Sequence, residues 1–378
     1  MRKICVYIFG LLFAAFLLVS SSFGSFTASV NVFNAGVIRS DPASTFQIRG
    51  ADLGLDMFFS GNPAYQPNAW QMLADLNINH IRVGPGWYGD VAGININSRS
   101  NWAQNLDNFL THAASHGITL SFIAMGYNSA IGQITYGSMS LSDAEILIDK
   151  LAGDTSTSTS GGRTFYGNTL GHNFLTDPRV YVWTTSNEQD LSSQAARDWN
   201  LGLCDYIRNK GGRAEIAYAR VAGDWDYHTT ETGNLLYGHV DQVNYHEYGE
   251  YAYAQYFQKS LTRTWNGMTY YQWWVNQFQD MLSTPHFAAD QIVLGEYGCW
   301  IGTGSNEGLS GVTFTNQDRL NIYNTVFAAA KATGFKNLIF HYVVGYPTEV
   351  PDYGIYKSDH SGDYWDDNLA NVIREAYS

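Results

Sequence analysis

Eight segments with the residue types of buried strands, each followed by one with helical periodicity, predict a single closed (β/α)8 (TIM) barrel within the 378 residues. Repetition of the strand-then-helix order implies a parallel sheet, and eight units leave nothing over for a second domain. No G-x-G-x-x-G follows the first strand, which removes the main support for the runner-up, an open doubly wound sheet binding a dinucleotide.

Taken in order, "TFQIRGADLGL" (45–55) reads as the first strand and "PNAWQMLADLN" (67–77) as its helix, with Pro67 at the start. "HIRVG" (80–84) is the second strand, and "NWAQNLDNFLTHAASHG" (101–117) a helix closed by Gly117. "ITLSFIAMG" (118–126) and the helix "LSDAEILIDKLAG" (141–153) form the third unit. The Ser/Thr/Gly-rich stretch "DTSTSTSGGRTFYGN" (154–168) has loop composition. "YVWTTSNEQD" (181–190) begins with the β-branched and aromatic residues of strand four and ends in an amide and a carboxylate. A helix within 192–212 and the strand "RAEIAYARV" (213–221) follow, then a short helix in "TGNLLYGH" (232–239). "VDQVNYHEY" (240–248) is strand six and "YYQWWVNQFQDMLS" (270–283) its helix. "QIVLGEYG" (291–298) and "FKNLIFHYVV" (335–344) are strands seven and eight, with helices at 315–334 and 366–378.

Ahead of the barrel, Arg2 and Lys3 precede the apolar run "ICVYIFGLLFAAFLLV" and the small residues "SSSFGS". That is the charge, apolar core and small-residue order of a secretory signal, read as residues 1–24, with the catalytic barrel at 25–378. The expectation is a secreted, extracellular protein, membrane-anchored if the signal is not cleaved, with no stable membrane partner afterwards. Loss of Arg2 and Lys3 leaves 19 of the 21 basic residues against 34 acidic ones. Such a surface repels phosphate backbones, so nucleic acid is not an expected partner. Cys204 and Cys299 could pair, but spacing alone does not bring them together. Neither C-x-x-C nor H-E-x-x-H occurs, so no metal site and no cofactor are indicated. Several aromatic residues lie in polar segments, among them Trp87 in "GPGWYGD" and Trp300 in "GCWIGTGS". Flat rings with polar surroundings suit stacking on the C–H faces of sugars, although for any single Trp loop anchoring is the plainer reading.

In a barrel of this kind all strand C-termini open on one mouth, where the active site is built. Glu188 stands where strand four delivers its last side chain, and Glu296 holds the matching place on strand seven. Two facing carboxylates are the equipment of glycoside hydrolysis. A lone Glu at a strand end is more often solvated or paired with Arg, but two in these contexts carry more weight.

These motifs give the chain a specific resemblance. "SNEQD" is similar to the Asn-Glu motif of clan A glycoside hydrolases and "VLGEYG" to their nucleophile segment. Within the clan, the chain most resembles glycoside hydrolase family 5, the family of many cellulases and mannanases. The resemblance implies Glu188 as acid/base and Glu296 as nucleophile. It further implies that Arg82 and Tyr248 support the nucleophile, that His246 contacts the acid/base side, and that Asn187 bonds the sugar 2-hydroxyl. Three departures bear on the substrate. Gln189 replaces the usual Pro, and strand three offers only Tyr127 and Asn128 where a His is common. The strand-eight Trp is missing, with His341, Tyr342 or Tyr346 as replacements. Trp87, Tyr127, Asn128, Trp300 and Tyr342 are therefore the candidate substrate-binding residues.

The function this implies is a retaining hydrolase of the β-glycosidic bonds of a polysaccharide or oligosaccharide, endo-β-glucanase-like first and mannanase-like next. The alternatives are a non-catalytic carbohydrate-binding protein on a former hydrolase barrel, or an exo-β-glycosidase of a neighbouring clan A family. Glucan versus mannan depends on cleft shape, which sequence leaves open.

Overall fold

The computed structural model describes residues 46–59, 66–84, 92–123, 139–187, 191, 193–219, 229–304, 309–344, 353–357, 363–364 and 366–378. All of these fall in one compact unit, Gly36–Ser378. The segment read as a signal, and Trp87, Tyr127, Asn128, Glu188 and Tyr346, lie outside them.

Eight strands alternate with helices along the chain: β1 (Ile48–Gly54), β2 (His80–Gly84), β3 (Thr119–Ile123), β4 (Val180–Asn187), β5 (Ala214–Ala219), β6 (Gln242–His246), β7 (Ile292–Tyr297) and β8 (Asn337–His341). Every neighbouring pair is parallel, and β1 pairs with both β2 and β8, so the sheet closes into a barrel. The helices are α1 (Ala69–Asp75), α2 (Trp102–Ser115), α3 (Leu141–Leu151), α4 (Gln194–Asn209), α5 (Thr229–Leu236), α6 (Tyr270–Leu282), α7 (Asn316–Thr333) and α8 (Asp367–Ala376). A shorter helix, Glu250–Gln255, follows β6. The (β/α)8 barrel expected from the strand-and-helix alternation is the observed fold.

Local chemistry sets the helix ends. The Ser140 hydroxyl accepts from the Asp143 N–H at the start of α3, and Thr269 and Gln272 cap α6 reciprocally. At the far end of α7, Gly334 takes φ 74°, the left-handed turn that glycine makes without a Cβ clash. The main core lies between strands and helices, with Trp102, Trp183, Trp273 and Trp274 essentially fully buried. Each large apolar side chain so buried contributes roughly 1.5–3 kcal/mol. A second, small apolar cluster joins Ile48, Val293 and Ile339 with Tyr181, from β1, β7, β8 and β4. Near the C-terminal ends of several strands lie buried polar residues, among them Asp52, Arg82, His246 and Glu296, and these form the site.

One stretch departs from its expected loop. Within 154–168, Ser158–Ser160 and Arg163–Phe165 pair as an antiparallel hairpin. Gly161 and Gly162 supply the two positive φ angles, 56° and 75°, that a two-residue turn between twisted strands needs. Composition misleads here because polar Ser and Thr satisfy a short exposed ladder as well as a loop. The hairpin is tied to α3 through fully buried Lys150, whose ammonium bonds Asp154, Ser156 and Ser158.

Cys204 and Cys299 are both buried and free. Burial pushes the Cys204 thiol up to about 12. Among the described residues, no helix is long and apolar enough to cross a membrane.

Candidate active site

Strand register gathers the charged residues. Asp52 on β1 lies directly beside Arg82 on β2 and His341 on β8, and His246 on β6 lies beside Glu296 on β7. Side chains alternate along a strand, so in-register neighbours on parallel strands share a face. Glu296 needs one further device. From Leu294 to Tyr297 β7 uses three residues where β8 spans Leu338 to Phe340 in two, a β-bulge. The extra residue re-aims Glu296 while Leu294 and Tyr297 both stay in the main core. The preceding Gly295 is required by close approach, since a Cβ there would sit 1.8 Å from Asn244 Oδ1. A second irregularity lies between Thr184 and Asn187, at the end of β4, opposite Glu215 to Ala217 of β5.

Around Glu296 the donors converge. Arg82 Nη1 donates to Oε1 at 2.6 Å, and the Tyr248 hydroxyl donates to Oε2 at 2.6 Å. His246 Nδ1 lies 3.4 Å from Oε1 and His341 Nδ1 3.8 Å from Oε2. Arg82 Nη2 donates to Asn187 Oδ1 at 2.5 Å, linking the surroundings of Glu296 to the last residue of β4. Glu296 is 6% exposed and Arg82 0%. Burial alone would raise the Glu296 carboxyl. The charges of His246, Arg82 and His341, with the Tyr248 hydrogen bond, overcome it and hold the group well below the carboxylate range. Arg82, buried among Asp52, Glu296 and Glu215, stays protonated throughout.

Of the site residues expected from sequence, Arg82, Asn187, His246, Tyr248 and Glu296 are thus joined in one network. His246 lies against Glu296, and its expected partner on the acid/base side, Glu188, the residue after Asn187, lies outside the described residues. Trp300 is 1% exposed and packs edge-on against Phe314 and Tyr353, so its ring is packing rather than an open sugar platform. Tyr342 is 9% exposed, with its ring against His341. His80 bonds Thr119 and Ser121 from its two ring nitrogens, and burial beside Arg82 lowers it to about 3, so it stays neutral.

Sequence reasoning missed Asp52, a buried carboxylate in direct contact with the site. Arg82 Nη1 donates to its Oδ2 at 3.1 Å, and His341 Nδ1 is also 3.1 Å away. The available signal was position: Asp52 is the acidic residue near the end of strand one. Oxygens of Asp52 and Glu296 and a nitrogen of His341 lie within 4.8 Å of one another, a spacing that suits a metal ion. The Arg82 guanidinium already supplies positive charge to both carboxylates there, and a cation would have to compete with it.

No protein-family model and no curated protein matches the sequence. Solved structures do match in fold. An endo-1,4-beta-mannanase from Rhizomucor miehei superposes with a TM-score of 0.57 at 14% identity, over 88% of this chain and 94% of that one. A GH5-4 broad specificity endoglucanase from Clostridium acetobutylicum gives 0.53 at 14% identity, over 86% and 96%. A Faecalibacterium prausnitzii beta-glucuronidase gives 0.52 at 16% identity, over 87% of this chain and 48% of that one. The fold is therefore that of the (β/α)8 barrels, and glycoside hydrolases of more than one family share it.

Proposed function

We propose that the chain is a secreted, retaining glycoside hydrolase of the family 5 kind, acting on a β-linked polysaccharide, endo-β-glucanase-like first and mannanase-like next. The carrying observation is Glu296, a buried carboxylate at the strand-seven mouth that Arg82, Tyr248 and His246 keep ionised. An ionised carboxylate so placed is equipped to attack an anomeric carbon. Fold likeness to a mannanase and an endoglucanase supports the class, and the apolar segment behind Arg2 and Lys3 supports export.

The mechanism is double displacement. Glu296 forms a bond to the anomeric carbon as the glycosidic C–O bond breaks, and Glu188 protonates the leaving oxygen. The negative charge of Glu296 raises the Glu188 pKa until the glycosyl ester removes that charge; Glu188 then takes the proton of the attacking water. Net retention follows, with a carboxyl separation of about 5–5.5 Å. Asn187, held by Arg82, is the sugar 2-hydroxyl partner in this reading.

Reducing-end release is the test, on carboxymethyl-cellulose, mixed-linkage and β-1,3-glucans, mannan, xylan and galactan. Wild type releases sugar from one polymer and Glu296→Ala does not. Equal, negligible release by both across the panel would favour a carbohydrate-binding protein instead.

A further inference from the structure

Asp52 is a second carboxylate at this mouth. One nitrogen of Arg82 serves two carboxylates, 3.1 Å from Asp52 Oδ2 and 2.6 Å from Glu296 Oε1. One nitrogen of His341 is likewise shared, 3.1 Å from Asp52 and 3.8 Å from Glu296. Asp52 is 3% exposed, and burial together with the charge of Glu296 pushes its carboxyl up, against the pull of Arg82 and His341. A second buried carboxylate beside the first is costly, so its position calls for a use.

The reaction supplies one. When Glu296 becomes a glycosyl ester it loses its charge, and of its ion pairs buried Arg82 keeps the one to Asp52, with the charge of Glu215 acting on it as well. We propose that Asp52 is a positioning residue of the reaction, holding Arg82 and His341 beside Glu296 and remaining as the counter-ion of Arg82 in the covalent intermediate. The inference rests on the reading of Glu296 as nucleophile. Asp52 gives up no proton and no electron pair: the C1–O bond to the leaving group breaks, the C1–O bond to Glu296 forms, and the proton comes from Glu188. Its effect is on charge balance. With Asp52 present, Arg82 and His341 are drawn partly away from Glu296, which stays more nucleophilic, and the neutral ester is not penalised.

This predicts opposite effects on the two steps. Neutralising Asp52 leaves Arg82 on Glu296 alone, so ester formation slows. In the ester Arg82 has then lost the charges of both carboxylates it pairs with, which favours the return of charge to Glu296, so its hydrolysis keeps or exceeds its rate. A merely structural role would slow both steps together.

The experiment uses 2,4-dinitrophenyl 2-deoxy-2-fluoro-β-cellobioside and the matching β-mannobioside, with mass spectrometry of the labelled peptide and of its reactivation. Wild type is labelled at Glu296 by one of them. Asp52→Asn is labelled on the order of 100-fold more slowly, while the purified ester turns over at least as fast as in wild type. Absence of labelling at Glu296 in wild type by either probe overturns the nucleophile reading, and this inference with it. Labelling of wild type and Asp52→Asn at equal rates, or equal slowing of both steps, overturns the role of Asp52 and leaves the nucleophile reading standing. Thermal melts accompany each variant. Should Asp52→Asn not fold, Asp52→Ser is measured: it too removes the charge, and slowed labelling with retained reactivation is expected. Wild-type rates in both steps, or a common slowing, would overturn the proposal there too.

Discussion

Two glutamates of the barrel, Glu296 and Glu215, are both buried and both bonded through both oxygens, yet their partners differ in kind. Glu215 on β5 is 0% exposed and takes hydrogen bonds from Thr184, Gln242 and Asn244, all neutral side chains of the flanking strands. Glu296 is held by a guanidinium, a phenol and nearby imidazoles, several of them shared with other groups. Neutral donors aimed at a carboxylate from two adjacent strands lock a barrel together. Cations shared between carboxylates instead keep a charge ready that a reaction can remove. Burial does not separate the two residues; the chemistry of the partners does.

The largest effect expected from this contrast is at Glu296. Glu296→Gln lowers kcat by about 10³-fold or more on the polymer that wild type cleaves, with the thermal midpoint little changed. Glu215→Ala does the reverse. It strands buried donors of Thr184, Gln242 and Asn244 and costs about 3 kcal/mol in denaturant unfolding, while activity per folded molecule stays near wild type. A similar kcat loss at both positions would break the comparison.

Tyr248→Phe is intermediate. Removing its hydrogen bond to Glu296 Oε2 lowers kcat/KM by roughly 10-fold. The bond favours the charged form, so without it the Glu296 pKa rises and the acid limb of the pH profile moves to higher pH, which a rate–pH series reads directly.

The smallest effect concerns Glu250, a third buried glutamate, 2% exposed and accepting from the Tyr353 hydroxyl at 3.0 Å. Burial chiefly, with the charge of Glu247, raises it from 4.5 to about 8. The folded chain therefore holds a proton that the unfolded chain loses between these values, so its contribution is full below pH 4.5 and is lost as pH rises to 8. Glu250→Gln lacks that loss, and its melting point relative to wild type should be higher at pH 8.5 than at pH 4.5 by roughly 4 °C. A pH-independent difference would assign Glu250 a charged state in the fold.

Much of the site was readable because strand-end position is a local property. Arg82 stands in "HIRVG", Glu296 in "VLGEYG", and His246 and Tyr248 in "VNYHEY"; each is a polar residue at or beyond the middle of its own strand segment. Asp52 has the same kind of position in "RGADLG", yet its partners Arg82 and His341 come from the two strands that flank β1 after closure, the latter 289 residues away. Trp300 shows the converse: a polar neighbourhood in sequence proved to be a packed one once Phe314 and Tyr353 arrived.

The alternation of β-branched strands with capped helices, and hence the barrel and its mouth, was determined by sequence alone, because hydrophobic period and cap chemistry act over a few residues. Tertiary structure decided what long-range register controls. It placed Asp52 between Arg82 and His341, inserted the bulge that turns Glu296 from its neighbours, and satisfied Glu215 from β4 and β6. These depend on closing one sheet over the whole chain, where a shift of one residue would send every side chain to the other face.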